Sequence, residues 1–343
     1  MGKSLQIHQM KSDFIAFGEL LLRLTPPDHF RFSQANSFNI IYGGSEANVA
    51  AALAAWGVPA KLVTGLPSNP IGDAAVQHLK KTDIGVDHVF RTAERLGVYF
   101  VEEGASVRST QVVYDRKNSS FAKATAEHFD WELILKKANW FHTTGITAGL
   151  GASLAIETGK ALRLAKEKGL TTSFDLNYRA QLWTRDVAKG VLDKILPYVD
   201  IFIGLDSNMQ ELLGISYKGE AKDPPSFYLQ EIQQRYGCKL VATSLRESIS
   251  PTAIRWKGIA YNGTTYFTSA DYDLSLVDRI GTGDAFTAGL IYALMQSEAP
   301  QKALEFAVAA GAWKHSIVGD HTIASLLEIS SLLEGGRGGS ILR

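Results

Sequence analysis

Cysteine is almost absent from this chain, with Cys238 the single one in 343 residues. That excludes an internal disulfide and a cysteine-built zinc site, and it suits a reducing compartment. An excess of charge of one sign is also lacking, because 35 Lys plus Arg balance 35 Asp plus Glu. Without a basic field to hold a polyanion, nucleic acid is not an expected partner. No stretch approaches the ~20 apolar residues that a membrane span needs. The start, MGKSLQIHQMKSDF, has no apolar signal-peptide core, so a cytoplasmic protein off the membrane is expected. Catalytic signatures are missing too. The eight histidines show no H-E-x-x-H spacing, and neither a G-x-S-x-G elbow, a G-x-x-x-x-G-K-[ST] loop nor the protein-kinase set occurs.

What is present is the composition of a folding globular chain, 45% hydrophobic and 20% charged. At ~150 residues per domain, the length allows two domains or one large body with an appendage. Short apolar runs alternate with segments of helical period: DFIAFGE, AKLVTGL, ANWFHTTGI, TTSFDLN, VDIFIGL and CKLVATSL read as strands. The alternation predicts a three-layer α/β/α sandwich with a mostly parallel central sheet, spanning about residues 13–330. Ser45 is placed at the start of one helix, which ends at Gly57, and another runs from Ala152 through Lys168 to Gly169. Two regions, 19–42 and 96–116, alternate with a period of two instead and predict a small antiparallel sheet suited to a lid, its second hairpin turning at Glu103 to Ser106. Residues 1–12 and 334–343 read as flexible ends.

The most informative segment is Asp278-Arg279-Ile280-Gly281-Thr282-Gly283-Asp284-Ala285-Phe286, which leads into an apolar helical run. Glycines let the backbone approach an anion, and helix-start N–H groups carry partial positive charge, so Gly281, Thr282 and Gly283 form a nest for phosphate. An acid beside such a nest makes sense if Asp284 faces a hydroxyl that loses its proton as a phosphoryl group arrives. A tight turn followed by an acid at a helix start fits the same residues. A dinucleotide fingerprint does not, since Phe286 stands where its third glycine belongs. A second pair, Gly43-Gly44, opens a helix carrying Asn48, either facing a small polyol or merely allowing close helix packing. Asn208 and Glu211, three apart beyond a strand end, would organise Mg²⁺ or cap a helix. Arg116 and Arg179 come off strand ends, where an arginine is either a ligand or a solvated charge.

Together these segments resemble the ribokinase-like, PfkB-type carbohydrate kinases from Phe14 to about residue 330. That family's Gly-Gly-x-x-x-Asn-x-Ala is matched by Gly43 to Ala50, and its Asn-x-x-Glu by Asn208 to Glu211. Its Asp-x-x-Gly-Ala-Gly-Asp-x-Phe is matched by Asp278 to Phe286, with Thr282 in place of alanine. Within the family the 2-keto-3-deoxygluconate kinases are most similar. Their Tyr-x-Arg appears as Tyr114-Asp115-Arg116, their lid tyrosine as Tyr99, their Asp-x-Asn-x-Arg as Asp175, Asn177 and Arg179, and their Lys-His-x-x-x-Gly-Asp as Lys314 to Asp320.

The resemblance implies a cytoplasmic sugar-acid kinase that uses ATP and Mg²⁺, with Asp284 as the base and the backbone of Gly281, Thr282 and Gly283 stabilising the transferring group. It implies sugar contacts from Gly43, Gly44, Asn48, Tyr99, Tyr114, Arg116, Asn177 and Arg179. The two arginines hold the substrate carboxylate, to which a planar guanidinium is matched. It also implies nucleotide contacts from Asn208, Ser244, Arg246, Gly281, Gly283 and His315, Mg²⁺ held by Asn208 and Glu211 through water, and a homo-oligomer, with a dimer through the lid sheet as the expected form. One departure stands out: after CKLVATSL these kinases turn through a small glycine-containing loop, whereas this chain reads Ser244 to Pro251 without a glycine. Arg246 is then the candidate for the missing phosphate contact. A kinase of the same fold for fructose or another neutral ketose, a non-catalytic sugar- or nucleotide-binding regulator and a dinucleotide-dependent dehydrogenase are the alternatives.

Overall fold

The structure, a computed structural model, describes residues 13–219, 225–250 and 252–335. The expected flexible end at 1–12, and all but Glu334 and Gly335 of that at 334–343, lie outside the described residues.

Fourteen strands are formed among the described residues: β1 (Asp13–Phe17), β2 (Leu21–Thr25), β3 (Asn39–Gly43), β4 (Ala60–Pro67), β5 (Val89–Thr92), β6 (Val98–Glu102), β7 (Gln111–Asp115), β8 (Ala138–Thr144), β9 (Thr171–Asp175), β10 (Ile201–Ile203), β11 (Leu240–Ser250), β12 (Ala253–Tyr261), β13 (Tyr266–Thr268) and β14 (Tyr272–Ser275). The large sheet has the order β13-β12-β11-β10-β9-β8-β1-β4-β5, with β14 also on β12. From β11 to β5 every neighbour is parallel. Successive residues of a strand point to opposite faces. Accordingly Phe14 and Ala16 enter one apolar cluster, with the helices Ser45–Ala55, Thr282–Met295 and Pro300–Lys314. Ile15 and Phe17 enter the other, with Ala152–Glu167, Arg185–Ile195 and Pro225–Tyr236. Burial from both sides is what makes the parallel strands read as near-continuous apolar runs.

The strand CKLVATSL does not end in a turn. β11 continues to Ser250 and pairs antiparallel with β12, setting Arg246 opposite Trp256. The glycine-free segment is therefore sheet as far as Ser250, and β12, β13 and β14 form an antiparallel flank beyond the strands read from the sequence.

The lid is a second sheet in the order β3-β2-β6-β7. Its outer pairs are antiparallel as expected, but β2 and β6 run parallel. The reason is topological: β2 follows β1 and β6 follows β5, two strands that point the same way in the large sheet, so both enter the lid from one edge. Two short 3₁₀ turns, Pro27–His29 and Phe32–Gln34, connect β2 to β3, and the β6–β7 hairpin turns through a wider loop over 103–110.

Candidate active site

A cleft of about 880 Å³ opens between the lid and the carboxyl ends of β1, β9 and β10. Open parallel sheets hold ligands at such an edge. Its floor is the late glycine turn. Gly281 caps the helix Thr282–Met295 in the left-handed region at φ 77, and a Cβ there would sit 1.5 Å from the Asp320 carbonyl oxygen. Only glycine fits. Gly283 differs, because a Cβ there would meet no protein atom within 4 Å. Its bare backbone faces open cleft at the positive end of a helix dipole, as an anion site requires.

Asp284 lies in the first turn of that helix, partly buried. Ser45 Oγ donates to its Oδ1 at 2.6 Å and Asn48 Nδ2 to its Oδ2 at 2.7 Å. Burial raises its pKa above the ordinary aspartate range, while these two donors oppose the rise and the charge of Asp320 adds to it. Asp175, at the end of β9, is pushed up to about 7 by burial and then by the Asp284 charge, against the opposing pull of Arg179. Glu46 is fully buried and also raised by desolvation, although Thr144 N, Thr144 Oγ1 and Thr147 Oγ1 donate to its Oε1.

On the side of the cleft next to the lid most charges are already paired. Arg116 donates through Nε and Nη2 to Glu19 Oε2, and its guanidinium lies 5.7 Å from the Tyr114 ring, which stacks on Tyr99. Arg23, wholly buried, donates to Asp278 and Asp320 at 2.9 Å each and to Glu103 at 3.1 Å. Tyr99 donates to the other oxygen of Asp320. Gly43 gives that carboxylate room, since a Cβ there would lie 2.0 Å from Asp320 Oδ2. Arg179 is the exception. It donates only to the Tyr178 carbonyl, at 3.0 Å, with no carboxylate in ion-pair range among the described residues.

On the opposite side Arg246 Nη2 donates to Thr282 Oγ1 at 3.0 Å, and the guanidinium lies 5.6 Å from the Trp256 ring. No carboxylate among the described residues pairs with it. Desolvation and the neighbouring Arg279 charge both lower its pKa. Thr282 Oγ1 in turn donates to the Arg279 carbonyl at 3.1 Å. The two departures noted in the sequence, Thr282 and Arg246, thus touch each other.

Of the residues singled out from the sequence, Gly44, Asn48, Tyr99, Tyr114, Arg116, Asn177, Arg179, Ser244, Arg246 and Gly281 to Asp284 all line the cleft. Gly43, Asn208, Glu211 and His315 do not. Asn208 Oδ1 accepts from Glu211 N as the cap of a short helix, Glu211 pairs with Arg185, and His315 is buried against the edge of Trp256. The carboxylate on that wall is Asp206. Glu19, Ser45, Asp206 and Asp320 line the cleft without having been read as site residues. For Arg23 a signal existed, because it occupies a buried position of an alternating strand, a costly place for an unpaired charge.

A family model described as pfkB family carbohydrate kinase matches residues 11–324. The chain belongs to the PfkB family of carbohydrate kinases. A 2-dehydro-3-deoxygalactonokinase from Haloferax volcanii is 30% identical, over 96% of this chain and 99% of its own. A 2-dehydro-3-deoxygluconokinase from Thermoproteus tenax is 28% identical, over 93% and 94%. Among solved structures, the 2-dehydro-3-deoxygluconokinase of Thermotoga maritima superposes with a TM-score of 0.91 at 44% identity, covering 96% of this kinase and 100% of that chain. No helix among the described residues is long and apolar enough to cross a membrane.

Proposed function

We propose that this PfkB kinase transfers the γ-phosphoryl group of ATP to the terminal 6-hydroxyl of 2-keto-3-deoxygluconate, releasing ADP and the 6-phospho sugar acid. The observation that carries the reading is Arg179, a cation with no carboxylate in ion-pair range among the described residues, on the side of the cleft where Arg116 and Arg23 are already neutralised. A substrate carboxylate supplies that partner, and a neutral sugar does not. The names of the relatives point to the same class of substrate.

Asp284 takes the proton of the attacking hydroxyl. Its raised pKa brings it nearer to working pH than an ordinary aspartate, which favours a base. The N–H groups of Gly281, Thr282 and Gly283, with the helix start that follows, stabilise charge on the phosphoryl group in flight, and Arg246 stands beside them. Tyr99 and Tyr114, carried on the lid strands β6 and β7, wall the sugar pocket, and the lid limits water and so wasteful hydrolysis. Mg²⁺, when bound with ATP, offsets the charge of the phosphates; a hard ion that keeps several waters fits Asp206 on the cleft wall, while Asn208 and Glu211 are engaged elsewhere. The exposed apolar residues of the lid, Ile40 at 63% and Val113 at 52%, support a dimer through that sheet. Light scattering on the eluted protein reads its mass.

The function is tested by ATP consumption with Mg²⁺ over a sugar panel. 2-Keto-3-deoxygluconate or its galacto epimer is expected to exceed fructose and ribose in kcat/KM by about 10²-fold. A preference for a neutral ketose would overturn the sugar-acid assignment and leave the fold's chemistry intact.

A further inference from the structure

Asp284 has two oxygens, and both accept from side chains of one helix, Ser45–Ala55. Asn48 Oδ1 also accepts from Gly44 N at 3.3 Å, so its amide is engaged at both ends. Ser45 is engaged on both sides as well. Its Oγ accepts from Asn177 Nδ2 at 3.0 Å and donates to Asp284 Oδ1 at 2.6 Å. A hydroxyl has one proton, and the Asn177 donor directs that proton to the carboxylate. Asn177 is in turn held in place. Its backbone lies in the left-handed region at φ 32, and its N–H donates to Asp175 Oδ1 at 3.1 Å. Asparagine tolerates that conformation better than most residues, but it is still a sparsely populated one, kept here by the Asp175 bond.

We infer that Ser45 is the positioning residue of the phosphoryl-transfer base: its hydroxyl, aimed by Asn177 from the end of β9, holds Asp284 Oδ1 in the orientation that receives the substrate proton. The logic is that of a base whose own orientation is set by a further group behind it. The inference rests on the proposed role of Asp284 and extends it to two residues, one of which, Asn177, was expected to contact sugar. Asp284 is faced by the charges of Asp175, Glu46 and Asp320 and by the cations Arg179 and Lys314. In that acidic setting a donor to the ionised carboxylate matters for its charge state as well as its aim. Removing the donor favours the protonated form, so the base is lost at higher pH.

The test is the pH profile of kcat/KM for the sugar acid, measured on the full chain with ATP and Mg²⁺. Ser45→Ala is expected to lower kcat about 10-fold and to move the acid limb up by about half a pH unit or more, with the sugar KM changed less than about 3-fold. Ser45→Thr keeps a hydroxyl and is expected to restore the limb. Asn177→Gly keeps the left-handed backbone, removes the orienting amide, and is expected to move the limb the same way by a smaller amount. It carries the test if Ser45→Ala melts early. Wild-type limbs in both Ser45→Ala and Asn177→Gly, alongside an inactive Asp284→Asn, would overturn the inference while leaving the base in place. An active Asp284→Asn would remove the base reading itself.

Discussion

The two halves of the cleft treat charge in opposite ways. On the sugar side Arg116 is bound to Glu19, and Arg23 to Asp278, Asp320 and Glu103, before any substrate arrives. Buried pairs of that kind cost desolvation and return geometry, so they fix Tyr99, Tyr114 and Asp320 around a small molecule. On the phosphate side Arg246 is held by a hydroxyl and an aromatic face, and its charge is left without a carboxylate partner among the described residues. An unpaired cation beside bare helix N–H groups is a stored demand for an anion. On the proposed reading, the sugar half is a preformed mould in which Arg179 has no carboxylate in ion-pair range among the described residues, and the phosphate half is completed by its ligand.

Asp284 stands at the seam, so Asp284→Asn should have the largest effect: kcat falls by about 10²–10⁴ with modest change in either KM, read by steady-state kinetics. Next, Arg246→Ala should lower kcat about 10²-fold and weaken nucleotide more than sugar. If Thr282 acts through Arg246, Thr282→Ala should add little to that variant in a double-mutant cycle. Equal weakening of sugar and nucleotide would erase the contrast between the halves. Arg179→Ala should lose about 10-fold in kcat/KM on the sugar acid and almost nothing on a neutral hexose. Arg116→Ala, by contrast, should first lower the melting temperature, because it leaves Glu19 buried and unpaired.

The smallest expected effect is on stability. Asp175 titrates near 7 when folded, above its ordinary value of 3.8. The folded chain therefore holds a proton that the unfolded chain has lost, and stability falls as pH rises between those values. Asp175→Asn should stabilise the fold above neutral pH, with the gain fading toward the ordinary aspartate range. Denaturant melts at about pH 5 and about pH 8 read the difference. A gain that grows as pH falls would show the carboxylate to be stabilised when charged.

The phosphate turn was legible because its requirements are local: a left-handed residue, a bare N–H and an acid in a first helical turn all fall within Gly281 to Asp284. Six of the seven parallel strands were legible from their apolar runs; β5 was not picked out. Contacts across the chain were not. Arg23 and Asp320 are 297 positions apart, and neither residue's surroundings name the other. The spacing of Asn208 and Glu211 fitted a cap or an ion equally well, and a partner outside the pattern, Arg185, draws Glu211 away. The parallel β2–β6 pair followed from how both strands leave the large sheet, which a period of two does not encode.

The central claim is that an anion nest and its neighbouring acid move a phosphoryl group onto a sugar acid. Phosphorus-31 NMR of 2-keto-3-deoxygluconate, ATP and Mg²⁺ incubated with the protein tests it most directly. The account predicts ADP together with a phosphomonoester on the terminal carbon of the sugar acid, in equal amounts. ATP unchanged after long incubation with both epimers, or ADP and free phosphate with no phosphorylated sugar, would contradict it.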